Sequence, residues 1–403
     1  MALVVIALAA LILMAGLALD VGHFMLSKTR LQDTVDAAAL AAAKTLDETA
    51  STTLATAEAL QAFGSNANAA GNRELGSSYA GGNGSLQVSV QYSSTLPPFT
   101  PGSASGPYVR VSATGFTLPA WLVSVAGFSQ FNVTASAVAG PSPTVSTACN
   151  IAPMMVCGSA AAGSANLWGY TLNAPTVLKS ASPGSAQVGP GNFQLIQLGG
   201  SGADIVRQNL AGSYAACATT GTSAQTETGN EAGPTAQGLN TRFGQYSGPV
   251  TEAQYPPDVI VKSPSPALTV DSSGNIDWGS TQITASNINL IYSYQNYSVD
   301  LADPSSYDYQ PIESGGPGAF QRRILELPVG DCSGTSNGST TVPVLGFACF
   351  FLLQPVNQQG TTDYAIGQFI GNCDVNGTPG PNPGSGPGPY VIQLYHDPGS
   401  GDS

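Results

Sequence analysis

The chain has 403 residues, a net charge of −13 and only 9% charged residues, against about 25% in an average soluble protein. Eleven Lys and Arg residues supply no basic face to neutralise phosphates, which excludes nucleic-acid binding. Six cysteines, 48 glycines and 29 prolines, set among Ser, Thr and Asn, predict an exported protein in a disulfide-permissive compartment.

The chain opens with MALVVIALAALILMAGLALDVG, and no charged residue precedes Asp20. A secretory h-region is about 7–15 apolar residues behind a basic segment; this run is longer and has no such segment. At about 1.5 Å per residue, Met1 to Leu19 spans roughly 28 Å as a helix, close to a hydrocarbon core of about 30 Å. One bilayer crossing is therefore expected. Lys28 and Arg30 follow the span, and the positive-inside rule alone places them in the cytoplasm. The cysteine-bearing remainder argues for the opposite side, and the two agree if a basic leader has been removed and Met1 is a processed N-terminus.

Beyond Asp20, Leu26, Leu31, Val35, Ala38, Ala39 and Ala42 recur at three- and four-residue spacing, the helical signature. The spacing predicts one continuous helix over 1–62, with a break possible around Glu48 to Thr53. GSNANAAGNRELGSSYAGGNG (64–84) ends it. SLQVSVQYS (85–93), YVRVSATG (108–115) and FNVTASAVAG (131–140) read as strands. TLPAWLVSVAGF (117–128) reads as a short helix with Pro119 in its first turn. Residues 63–140 thus form a small α+β domain whose sheet packs on the helix.

PSPT (141–144) marks a boundary. Residues 141–375 read as a larger β-rich domain, its apolar segments separated by Gly, Pro, Asn and Ser clusters. One short helix is expected at 201–214, and FACFFLLQPV (347–356) as a buried core strand. Residues 376–389 form a Pro/Gly linker. A terminal strand and tail (390–403) follow, and YVIQLYH (390–396) pairs either with its own subunit's sheet or with a neighbour's edge.

Candidate chemistry is sparse. GTSNG (334–338) fits the nucleophile-elbow spacing, but it sits in a Gly/Ser/Thr/Asn loop with no helix after it, and His396 is the only histidine beyond His23. It reads as a surface turn. Cys149 and Cys157 are too far apart for a zinc ribbon. DSSGNID (271–277) lacks EF-hand spacing and reads as a β-turn. Neither GGNG (81–84) nor GGSG (199–202) carries the Lys-Ser/Thr of a P-loop. No catalytic residue, cofactor or metal is expected, and the chain is not read as an enzyme.

Cys149, Cys157, Cys217, Cys332, Cys349 and Cys373 are disulfide candidates. Sequence alone allows fifteen pairings; a local Cys149–Cys157 loop is the expectation, with Cys217 pairing across the domain. Asn83, Asn132, Asn296, Asn337 and Asn376 head N-x-Ser/Thr sites, acceptors only where a glycosylation machinery exists.

GLALDVGHFMLSKTRLQDTVDAAALAAA (16–43) resembles the N-terminal signature of TadE/TadG-like proteins of the bacterial tight-adherence (Tad, Flp) pilus system. The match lies in Gly16-Leu17-Ala18, Asp20, Leu31-Gln32 and Asp36-Ala37-Ala38-Ala39-Leu40-Ala41. YVRVSATGFTLPAWLVSVAGFSQFNVTASAVAG (108–140) resembles the strand, short helix and strand that follow in such proteins, so the likeness covers residues 1–140. The resemblance implies an α+β fold with a long N-terminal hydrophobic helix, a small pilin-like domain and a larger β-rich, disulfide-containing domain. It implies a structural pilin-like or pseudopilin-like filament subunit, or an inner-membrane-anchored pilus assembly protein. A surface adhesin or glycan-binding module is the reading from a different class.

The partners implied are other Tad pilus components, the inner membrane before assembly, and further copies of the chain packed through the N-terminal helix. The location implied is the inner membrane, with the C-terminal part periplasmic, or an extracellular filament. Small residues such as Ala7, Ala10, Ala15 and Gly16 permit close helix approach. Two features depart from the wider pattern: Val5 stands where type IV pilins carry Glu, and no D-x-S-x-S metal-adhesion motif is present.

Overall fold

The computed structural model describes residues 2–102, 106–179, 195–212, 214–227, 229, 231–310, 318–333, 339–356, 364–371, 373–374, 376–377 and 389–397. The side chains at 2–3, 5–13, 125–126, 164–166, 214–216 and 376–377 also lie outside the description. The chain forms two compact units, Met1–Pro141 with Ile392–Ser403, and Ser142–Val391.

In the first unit, helix α1 (Ala2–Thr49) ends earlier than the periodicity predicts. Ala50 adopts a left-handed φ of 52°, and the Ser51 side chain caps α2 (Thr52–Ala67) by accepting the Leu54 N–H. The expected break is therefore a reversal, not a kink. Arg30 donates to the Gly71 carbonyl, so α2 returns alongside α1. Alanines make this close packing possible: Ala38, Ala39 and Ala42 on α1, and Ala55 and Ala59 on α2, are fully buried beside Leu31, Val35 and Phe63.

After α3 (Arg73–Tyr79) come β1 (Gln87–Ser93), β2 (Tyr108–Pro119) and β3 (Gln130–Pro141). The sheet runs β1, β2, β3 and then the C-terminal strand Ile392–Tyr395, antiparallel throughout. Its inner face, with Val109, Val111, Ala113, Val133, Ala135, Ala137 and Ala139, shares one core with the helices. A four-residue 3-10 turn, Val123–Ala126, replaces the short helix expected over 117–128. The physical reason is pairing: β2 and β3 stay paired, across a register shift between Ala113 and Phe116, as far as Pro119 and Gln130, leaving a short hairpin tip.

The terminal strand pairs with β3 of its own chain. Behind it, Asp397 accepts from Arg110 at 2.6 Å and from the Ser136 hydroxyl at 2.6 Å, while the Arg110 guanidinium lies over the Phe99 ring. Residues 378–388 of the expected linker lie outside the described residues.

The second unit is β-rich. Strands β4 (Thr147–Ile151), β5 (Val156–Cys157) and β6 (Pro175–Lys179) precede α4 (Ala203–Gly212), β7 (Tyr214–Thr219), β8 (Ser223–Gln225) and α5 (Ala232–Asn240). A three-stranded piece, β9 (Thr269–Val270), β10 (Ile276–Trp278) and β11 (Thr281–Gln282), is followed by α6 (Tyr294–Leu301). Last come β12 (Ile324–Gly330), β13 (Thr341–Leu352), β14 (Ala365–Gly371) and β15 (Asn376–Gly377).

The main sheet runs β5, β12, β13, β14, β6, with β8 also on β13. Both of its faces are covered. Phe347, Phe351 and Leu353 pack on Ile260, Ile291 and Tyr297, while Phe350 and Leu352 pack on Leu210, Leu239 and Phe369. Double burial is why FACFFLL reads as an unbroken apolar run rather than an alternating one.

The six cysteines form Cys149–Cys217, Cys157–Cys332 and Cys349–Cys373. The local Cys149–Cys157 loop expected from spacing is therefore corrected. Cys149 and Cys217 are direct cross-strand partners on β4 and β7, whereas Cys157 lies on β5 beside the end of β12, which leads to Cys332. Asp271 makes the turn expected of DSSGNID, accepting the Ser273 and Asn275 N–H groups. Asn296 is engaged in the capping box of α6.

Candidate functional site

The N-terminal part of α1 is unlike the rest of it. From Ser27 onward one side of the helix is buried in the first unit, but Met14, Leu17, Leu19, Met25 and Leu26 are exposed. Among the described residues no helix is long and apolar enough to cross a membrane. The crossing expected of Met1–Leu19 falls mostly on side chains outside the described residues.

Asp20 on this stretch is buried, being 2% exposed. Its carboxylate accepts three successive backbone N–H groups from the tip of the β2–β3 hairpin: Trp121 at 3.2 Å, Leu122 at 2.9 Å and Val123 at 2.7 Å. These N–H groups open the 3-10 turn Val123–Ala126 and have no partner within it, so Asp20 caps that turn from another element. The Val123 N–H, with those of Leu122 and Trp121, holds the carboxyl below its usual range, against the opposing effect of burial.

Neighbouring residues fix the same junction. The His23 ring stacks on Trp121, with centroids 4.4 Å apart, and its Nε2 lies 2.6 Å from Glu74 Oε2. Phe24 meets Phe131 of β3. Gly16 packs on Leu122 so closely that a Cβ there would sit 2.7 Å from Leu122 Cβ. Two helical turns further on, the contact passes to the sheet. Gln32 donates to the Asp36 carboxylate at 2.8 Å and to the Ser136 carbonyl at 3.0 Å. Burial dominates at Asp36 and raises its carboxyl, with the Gln32 bond opposing.

The structure thus brings the signature residues together along one seam. Leu31 and Ala38 are fully buried, Ala37 and Leu40 are half-buried, and Asp20, Gln32 and Asp36 make the polar contacts. Sequence reasoning did not single out Trp121, Leu122, Phe128, His23 or Glu74. The available signal was the uncharged, aromatic-bearing stretch PAWLVSVAGF around a turn.

Two clefts of about 540 and 610 Å³ in the second unit are lined by uncharged groups, Thr176, Asn275 and Gln282 in one and Gln245, Tyr246 and Ser263 in the other. Neither holds a general acid, base or nucleophile arrangement. Among the described residues no three His, Cys, Asp or Glu side chains cluster as a metal site. GTSNG (334–338) lies outside the described residues.

A buried ionic group there, Asp258 with Arg323, is structural. Asp258 accepts from the Tyr297 hydroxyl and the Arg323 N–H, and the Arg323 guanidinium donates to the carbonyls of Ile260, Lys262, Leu352 and Leu353. Burial raises the Asp258 carboxyl, with the Arg323 charge opposing. Every guanidinium nitrogen of Arg323 is spent on backbone carbonyls, and the Tyr297 hydroxyl on Asp258.

Residues 1–45 match a family model described as Flp pilus-assembly TadE/G-like, and residues 41–139 match one described as Tad-like Flp pilus-assembly. The two matches meet in α1 and together span the N-terminal helix and, to residue 139, the strands β1 to β3. No curated protein and no solved structure matches the chain.

Proposed function

We propose that this Tad pilus-related protein is a pilin-like structural subunit. In this reading the apolar half of α1 is membrane anchor and assembly core, and the β-rich unit is displayed outward. The observation that carries it is the Asp20 junction: an uncharged helical segment is held to a folded base while its Val4, Met14, Leu17 and Leu19 side chains stay exposed. Exposed apolar helix needs lipid or other helices around it, and a fixed exit from the folded base lets many copies present the same geometry. The small residues of the segment suit packing against identical helices. The family descriptions support a place in the cell envelope or on the surface.

The test is electron microscopy of sheared surface material with mass spectrometry of its subunits. Filaments composed mainly of this chain support the subunit role. Retention of the chain in washed inner membranes, with none in filaments, overturns it in favour of an anchored assembly protein.

A further inference from the structure

Resting on the anchor reading above, we propose that the tip of the β2–β3 hairpin is a membrane-interface wedge. Its Trp121, Leu122 and Phe128 insert among lipid headgroups beside α1.

Trp121 is 53% exposed, Leu122 42% and Phe128 62%. The whole stretch from Thr117 to Gln130 contains no charged residue. Among the described side chains of Trp121–Phe128, Val123 is the buried one.

Depth follows from the contacts. Leu122 packs against Gly16, four residues N-terminal to Asp20, so the tip reaches about 6 Å along the uncharged part of the helix. With residues 2–19 in hydrocarbon, Leu122 lies at its edge and Trp121 beside Asp20 at headgroup level. That is where an indole, apolar over its ring and polar at its N–H, is favoured.

Asp20 does not oppose this placement, because its carboxylate is turned onto three amide N–H groups. Tip and helix therefore enter the interface as one body. A second copy of the chain is the poorer occupant. Stable protein interfaces bury about 1,200–2,000 Å² in total, and one aromatic side chain supplies about 150–250 Å². Three partly exposed side chains on one turn fall far short, whereas an interfacial wedge needs no more.

The experiment uses the full chain in phosphatidylcholine/phosphatidylglycerol vesicles, with Trp168→Phe and Trp278→Phe leaving Trp121 as the sole indole. Lipids brominated at shallow or deep acyl positions act as quenchers. The expected result is blue-shifted emission, quenched more by shallow than by deep bromines. Emission typical of an exposed indole, unquenched by either lipid while the chain resists carbonate extraction, overturns the wedge and leaves the anchor standing. Shielding from both bromolipid and aqueous iodide also overturns it, in favour of a protein partner. Loss of the chain on carbonate washing overturns the anchor reading itself. Should the double variant misfold, Trp121→Phe in the otherwise native chain serves: loss of bromolipid quenching supports the wedge, and unchanged quenching refutes it.

Discussion

The Asp20 carboxylate accepts the Val123 N–H at 2.7 Å, across 103 residues of sequence. One side chain on α1 thereby holds the tip of the β2–β3 hairpin, and the tip in turn fixes the direction in which the apolar helix leaves the folded unit.

Replacing Asp20 by Asn removes the charge and one acceptor from a site that offers only donors. Hydrogen exchange at the Trp121, Leu122 and Val123 amides should rise roughly tenfold, since charge-assisted bonds are about twice as strong as neutral ones. Amides of β2 and β3 should stay protected; equal loosening of the sheet would mean that Asp20 acts on global stability instead.

The same contact has a pH dependence. The folded-state Asp20 carboxyl lies below its usual range, so its stabilisation is fully present above the unfolded value and is lost as pH falls through the lower folded one. Trp121 fluorescence should stay constant from neutrality down to the ordinary carboxylate range and change only below it. A transition well above the carboxylate range would show that another group controls the contact.

Gly16 and Gly22 form a matched pair on one helix. A Cβ at Gly16 meets Leu122 at 2.7 Å, whereas one at Gly22 meets nothing within 4 Å. Gly16→Val should displace the hairpin tip, seen as altered Trp121 emission. Gly22→Ala should leave the tip in place and stabilise the helix by about 0.8–1 kcal/mol.

Asp397 is 1% exposed and holds Arg110 and Ser136. Asp397→Ala leaves the partly buried Arg110 charge without this carboxylate, at a cost of about 3 kcal/mol by the rule for broken buried pairs. Denaturant melting of the first unit checks this. A shift below about 0.5 kcal/mol, the usual size at surface sites, would show that the terminal segment contributes little.

All three disulfides lie in the second unit. Calorimetry with and without reductant should shift the transition of that unit alone, each disulfide contributing about 2–4 kcal/mol. An equal shift of the first unit's transition would show that the two unfold together.

Much of the first unit was legible because its signals are local. The helix period, the three strands of alternating pattern and the signature from Asp20 to Leu40 each depend on residues close in sequence. The hairpin tip was misread as a helix because its apolar residues have no period of their own. Trp121, Leu122 and Phe128 are exposed, and the loss of pairing beyond Pro119 and Gln130, not local propensity, ends the strands. The reversal at Ala50 was half-legible, since a break was visible there but a left-handed alanine carries no sequence mark.

Sequence by itself determined the uncharged N-terminal segment, the α+β order of the first 140 residues and the presence of six cysteines in a β-rich remainder. Only the tertiary structure decided which cysteines meet, that the last strand returns to the sheet of the first unit, and that Asp20 faces three amide groups a hundred residues away. The physical reason is the range of the interactions. Periodicity and propensity act within a few residues, whereas strand register and a buried carboxylate's choice of donors are settled by elements that meet only when the chain has folded.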